Sequence, residues 1–124
     1  MPIPHSPTGC PMDALLRLLM GPWTTYILYV LRTQGPLRFG ALKRMVPGIS
    51  AKVLTERLRL LESAEIIARH YEPTIPPAVT YSLAPRGREL SGVLDQLSAI
   101  AQTWQAADKK TGKRASLRKD HATV

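Results

Sequence analysis

One cysteine, Cys10, stands in a chain of 124 residues. That excludes an internal disulfide framework and fits a reducing compartment. No apolar run approaches the ~18–20 residues that span a bilayer. Met1–Gly9 has three prolines and no Lys or Arg, so it lacks the charged start of a secretory leader. A cytoplasmic protein with no membrane partner is expected. The three histidines, His5, His70 and His121, are scattered without metal-ligand spacing. Neither a glycine-rich phosphate loop nor a Ser/His/Asp grouping tied to a turn is found. No cofactor, no metal and no enzymatic activity are therefore expected. Acids are scarce too: 9 against 17 Lys plus Arg, for a net charge of +8.

That surplus is unevenly placed. Lys109–Lys119 holds six basic residues, and residues 108–124 contain two acids, so this tail accounts for half of the excess. Within Arg38–Arg59 six basic residues face only Glu56. A localised positive patch attracts a polyanion and makes binding fall steeply with salt. The length suits one domain, burying roughly two-thirds of its unfolded surface.

The basic cluster sits on a recognisable succession of elements. Arg38–Val46 has Phe39, Leu42 and Val46 (with Met45) on an inward helical face and Arg38, Lys43 and Arg44 outside. Pro47-Gly48 ends that helix, and Ser50 is a suitable N-cap for the next. In Ala51–Ala64, Leu54, Leu58 and Leu61 form the apolar stripe. The opposite face carries Lys52, Glu56, Arg59 and Ser63, with Thr55 on its flank and Arg57 beside the leucines. Two β-prone runs follow, Ile66–Glu72 and Val79–Leu83. Pro73, Pro76 and Pro77 stiffen the loop between them, in which Thr74, Pro76 and Pro77 mark a projecting wing. Without Lys or Arg between Glu72 and Ala84, the wing's direct contribution to binding is expected to be small.

The expected fold is mainly α with a small β-hairpin: a winged helix-turn-helix with flanking N- and C-terminal dimerisation helices. Such a fold usually lays its second helix in the DNA major groove. Lys52, Thr55 and Arg59 are the candidates for base or groove contacts, and Ser50 is a cap and possible phosphate donor. Arg38, Lys43, Arg44 and Arg57 are the candidate phosphate clamps, though Arg57 could instead brace the fold. Two rival readings use the same residues. One is a protein-interaction winged helix whose basic face meets an acidic partner; the other is a thiol-dependent enzyme using Cys10.

The flanking segments point to a second copy of the chain. Asp13–Met20 is apolar almost all round, with Leu15 and Leu19 among its large side chains. From Pro85 to about Ala107, Leu90, Val93, Leu94, Leu97, Ile100, Ala101 and Trp104 recur at three- and four-residue steps, the pattern of a helix–helix seam. Between these segments, Trp23, Tyr26, Ile27, Val30 and Leu31 share one stripe. Aromatics so placed are mostly core, while Trp23, Tyr26 and Tyr29 are candidates for an effector pocket. Cys10 precedes Pro11, a favoured first helical residue, so a helix end and its dipole would favour its thiolate, with Asp13 opposing. Lacking a second cysteine, the chain could only bridge two copies through Cys10, form a mixed disulfide or be alkylated.

From Cys10 to about Trp104 the sequence resembles the HxlR-type bacterial transcriptional regulators, a branch of the MarR-like winged-helix proteins. The matching pieces are Cys10-Pro11, Gly21-Pro22-Trp23-Thr24, Arg38-Phe39 with Leu42, Pro47-Gly48-Ile49-Ser50, Lys52-Val53-Leu54-Thr55 and Arg57-Leu58. Leu61-Glu62, Pro76-Pro77, Val79 with Tyr81-Ser82-Leu83, and Gly87 complete the set. The resemblance implies a homodimer that binds a palindromic operator on double-stranded DNA; of the two directions of control, repression is the one expected. It also implies a chemical signal, in several relatives an oxidant, aldehyde or quinone sensed at a cysteine in the place of Cys10. Departures from the family pattern are Ala78 where a basic residue follows the wing prolines, and Glu65 where Gly often ends the second helix. Pro22 and Ala84 also replace the usual Lys and Thr. The resulting division is an arm at 1–9, the winged-helix and dimerisation domain at 10–107, and a basic, disordered tail at 108–124.

Overall fold

Helical and β-prone runs alternate along the chain as the computed structural model, which describes residues 6–111, resolves them. The order is α1 (Pro11–Leu19), α2 (Thr24–Gln34), β1 (Leu37–Arg38), α3 (Phe39–Met45), α4 (Ala51–Ser63), β2 (Ile67–Glu72), β3 (Ala78–Leu83) and α5 (Pro85–Thr111). The chain divides after Ser91 into two compact units. No single described helix is long and apolar enough to cross a membrane.

In the first unit, apolar residues one turn apart on three helices converge on a common core. Ile27, Leu28 and Leu31 come from α2, Leu42 from α3, and Leu54, Leu58 and Leu61 from α4; Val46, Ile66 and Ile67 lie beside them, all buried. Met45, expected to face inward, is exposed, because α3 ends there and Val46 takes the last inward position. The turn after α3 needs Gly48 at φ +90, a left-handed backbone that suits glycine.

The other end of α4 closes in a Schellman pattern. Glu65 N–H donates to the Glu62 carbonyl at 2.9 Å and Ile66 N–H to that of Leu61 at 2.9 Å. Glu65 stands at φ +62, the left-handed position where the family pattern has Gly. Its carboxylate lies 3.8 Å from Arg86, whose guanidinium also donates to the Ala64 carbonyl at 3.1 Å.

The sheet has three antiparallel strands in the order β1-β3-β2. β2 and β3 pair without interruption from Ile67↔Leu83 to Glu72↔Ala78. This is the hairpin expected from sequence. Its third strand was not: Leu37 and Arg38 pair with Tyr81 and Thr80 on the other edge of β3. Two residues are too few to carry an alternating pattern, so β1 left no periodic signal.

Several boundaries and one burial differ from expectation. α1 starts at Pro11 and ends at Leu19. Trp23 lies outside α2, as its N-cap residue in the left-handed region at φ 70. Leu19 is buried within the protomer, which makes it a core residue rather than an interface one. Finally, α5 runs through Lys109 and Lys110 to Thr111, so the expected tail begins as helix; residues 112–124 lie outside the described residues, as do 1–5 of the N-terminal arm.

The second unit, described from Gly92 to Thr111, is the remainder of α5. Val93, Leu97, Ile100 and Trp104 are exposed along it, Trp104 by 68%. Leu94, like Leu90 and Ser91 in the first unit, is half-buried.

Candidate nucleic-acid interface

The outer face of α4 follows directly from its sequence. With Leu54, Leu58 and Leu61 turned inward, Lys52, Glu56, Arg59 and Ser63 lie exposed on the opposite side and Thr55 half-exposed on its flank. Lys52 and Arg59 are seven residues apart, about two turns or ~10 Å along the helix axis. Among the described residues, neither they nor Arg38, Lys43 and Arg44 has a carboxylate partner. Exposed cations without a carboxylate partner keep most of their field, which suits a polyanion.

The hydroxyls have assigned roles. Ser50 Oγ accepts the Val53 N–H at 3.1 Å, so the cap is made and the hydroxyl hydrogen remains free to donate outward. Thr55 Oγ1 donates to the Ala51 carbonyl at 2.8 Å. Its hydrogen is thereby engaged, and toward a base edge Thr55 offers lone pairs and a methyl group. Arg57 Nε donates to the Pro22 carbonyl at 3.1 Å, which ties α4 to the turn between α1 and α2. Gly21 makes room for this brace, since a Cβ there would lie 3.3 Å from Arg57 Nη1. Bracing is thus the role the contacts give Arg57. Arg38 stands at the N-cap position of α3 without a side-chain cap bond and lies exposed at the end of β1; Lys43 and Arg44 occupy the last turn of α3, where positive charge complements the helix dipole.

The wing is the loop 73–77 between β2 and β3. Thr74 Oγ1 donates to the Pro76 carbonyl at 2.8 Å, and every residue of the loop is exposed. Its outermost apolar group is Ile75, 102% exposed. Sequence reasoning named Thr74, Pro76 and Pro77 and passed over Ile75; an apolar residue isolated among prolines was the available signal.

Cys10 is the N-cap residue of α1, followed by Pro11 in the first turn. It is a free thiol, half-buried, with its backbone N–H donating to Thr8 Oγ1 at 3.3 Å. Asp13 accepts from Ser6 Oγ, from Arg17 Nε at 2.9 Å and from Thr8 Oγ1 at 3.1 Å. The Ser6 hydroxyl and then the Arg17 guanidinium hold its carboxyl below the ordinary value of 3.8. The acid that was expected to oppose a thiolate at this helix end is therefore itself tied to a cation and two hydroxyls.

The aromatic trio lies at the surface. Tyr26 and Tyr29 meet edge to face at 6.1 Å between ring centres, and both are exposed, by 45% and 48%, as is Trp23. Of the stripe expected from sequence, Ile27, Val30 and Leu31 are buried, whereas Tyr26 is turned outward. An open cleft of about 600 Å³ lies elsewhere, lined by Leu31, Arg32, Pro36, Ser82 and Arg88 among others.

Comparison with known proteins adds to this geometry. The HxlR-like helix-turn-helix family model matches residues 18–109. The HTH-type transcriptional regulator sll1512 of Synechocystis sp. is 42% identical over 95 residues, 77% of this chain and 70% of its own. YodB, an HTH-type transcriptional regulator of Bacillus subtilis, is 39% identical over 98 residues, 78% of this chain and 87% of its own. The reduced form of YodB superposes with a TM-score of 0.68 at 39% identity, covering 74% of this chain and 90% of that one. Its diamide-treated form gives 0.66 at 38% identity, covering 76% and 93%. The crystal structure of ytcD reaches 0.73 at 39% identity, covering 77% of this chain and 96% of its own; the B. subtilis YtcD sequence is 42% identical over 88 residues, 71% of this chain and 69% of its own.

Proposed function

This chain belongs to the HxlR-like helix-turn-helix family of DNA-binding transcriptional regulators, and from that premise we propose that it is a cytoplasmic, dimeric repressor whose operator hold is broken by chemistry at Cys10. The observation that carries the DNA reading is the outer face of α4. Lys52 and Arg59 are exposed without carboxylate partners on a helix whose entry is fixed by the Ser50 cap. Lys52, Thr55 and Arg59 meet base edges and groove walls. Ser50, Arg38, Lys43 and Arg44 hold phosphates, while Arg57 holds α4 to the Pro22 turn.

The dimer reading rests on α5, where Leu97, Ile100 and Trp104 present apolar surface that a second copy would cover, joined by Leu90, Leu94 and Leu15. Two-fold symmetry then sets two copies of α4 one helical repeat of duplex apart, about 34 Å, on the halves of a palindrome. The signal reading rests on Cys10 at the start of α1 and on YodB, which has been solved both reduced and diamide-treated. Oxidation or alkylation there would change the geometry of the dimer and spoil the half-site spacing. An effector held near Trp23, Tyr26 and Tyr29 would act through the same spacing.

The test is a mobility-shift titration on the duplex upstream of the protein's own gene, against random-sequence competitor, with and without diamide. The wild type should prefer the upstream duplex and lose it on oxidation; Cys10→Ser should bind equally well and ignore diamide. An oxidant response that survives in Cys10→Ser removes Cys10 from the mechanism, and no preference over competitor contradicts the operator reading.

A further inference from the structure

We propose that the wing of this regulator reads the minor groove beside each half-site through Ile75, as an uncharged apolar wedge, in place of a basic side chain. The inference rests on the operator reading above and assigns a specificity contact within it. Three observations converge on the wing. First, the tip is held in place. β2 and β3 stay paired out to Glu72↔Ala78, Pro73, Pro76 and Pro77 restrict the five-residue loop, and the Thr74 hydroxyl closes it onto the Pro76 carbonyl. The base of the hairpin is fixed to α4 as well, because Ile66 N–H bonds to the Leu61 carbonyl. A β-branched side chain on such a tip loses little further freedom on contact.

Second, the tip is apolar where the protein has no reason of its own to be so. Ile75 is 102% exposed and contributes nothing to the core.

Third, the wing has no cation with which to clamp a phosphate. No Lys or Arg occurs from His70 to Pro85, and the formal charge nearest the loop is the carboxylate of Glu72, which phosphates repel. What remains is shape and apolar contact. The minor groove is about 6 Å wide with sugar-lined walls, and apolar wedges of Ile and Pro enter it at base steps that unstack readily. Pyrimidine–purine steps are the most deformable, so a preference for TA or CA at the flanking position follows.

An apolar contact and a cationic one differ in salt dependence. Binding of the wild type, Ile75→Ala, Ile75→Met and Ile75→Lys to the upstream duplex, measured across a salt series with far-UV circular dichroism as a check on folding, separates them. Ile75→Ala should weaken binding by about tenfold at every salt concentration and erase discrimination at the flanking step. Ile75→Met should restore wild-type behaviour. Ile75→Lys should bind at low salt with a slope of log affinity against log salt steeper by about one unit. Folded Ile75→Ala that binds as the wild type, or a slope that changes with Ile75→Ala, overturns the wedge. If Ile75→Ala changes nothing while Lys52→Ala and Arg59→Ala abolish the shift, the operator reading stands and only the wedge falls. A wild type without preference for the upstream duplex sinks both.

Discussion

At the scale of single residues, hydrogen-bond direction decides what each side chain has left to offer. Ser50 accepts from the helix and keeps a donor; Thr55 donates to the helix and keeps acceptors; Arg57 is engaged with Pro22. The Ser50 cap was legible in the sequence and bracing was one of two roles open to Arg57, but the direction of the Thr55 bond was not, since Ser and Thr carry the same hydroxyl. Gly87 gives the sharpest stability prediction. A Cβ there would fall inside the contact envelope of the Ile66 carbonyl and press on Leu83, and a backbone oxygen held by Ala84 N–H at 3.0 Å cannot step aside as a side chain would. Gly87→Ala should therefore destabilise the fold by roughly 1–3 kcal/mol, read as a lower midpoint in urea unfolding. An unchanged midpoint would show that α5 shifts freely at its root. The sequence marked Gly87 as part of a family resemblance, but the reason for it lies in tertiary packing.

Among the elements, α4 was the most legible, because its signals agree. A cap, a leucine stripe at helical spacing and a polar outer face all specify one helix in one orientation. β1 was illegible, being two residues long and defined only by its partner β3. The start of α2 misled for another reason: the expected stripe included Trp23, one residue before the helix begins, which stands in the left-handed region instead. The cap made by Ser50 and its proposed phosphate contact can be pulled apart by substitution. Ser50→Ala should cost about 1 kcal/mol of stability through loss of the cap. Ser50→Asp keeps a capping oxygen, so it should unfold like the wild type, yet its charge should repel phosphate and weaken operator binding. Equal DNA affinity for Ser50→Asp and the wild type would place Ser50 away from the backbone of the duplex.

At the scale of the whole molecule, each unit exposes groups that a partner could meet. The first unit carries the unpaired cations of α3 and α4, and the described part of the second exposes Val93, Leu97, Ile100 and Trp104 along α5. Sequence periodicity located that stripe; Leu19, expected at an interface because Asp13–Met20 is apolar almost all round, is taken up by the protomer's own core. A lone half-site would gain little from such a stripe. Two copies joined through it would place two recognition helices on one face of a duplex. Hydroxyl-radical footprinting of the upstream duplex, with the wild type and a Lys52→Ala/Arg59→Ala variant, tests that arrangement most directly. The account predicts two protected patches on one face, centred about 10 base pairs apart, both lost in the variant while its fold is retained. A single patch, or protection that survives the double substitution, would contradict it.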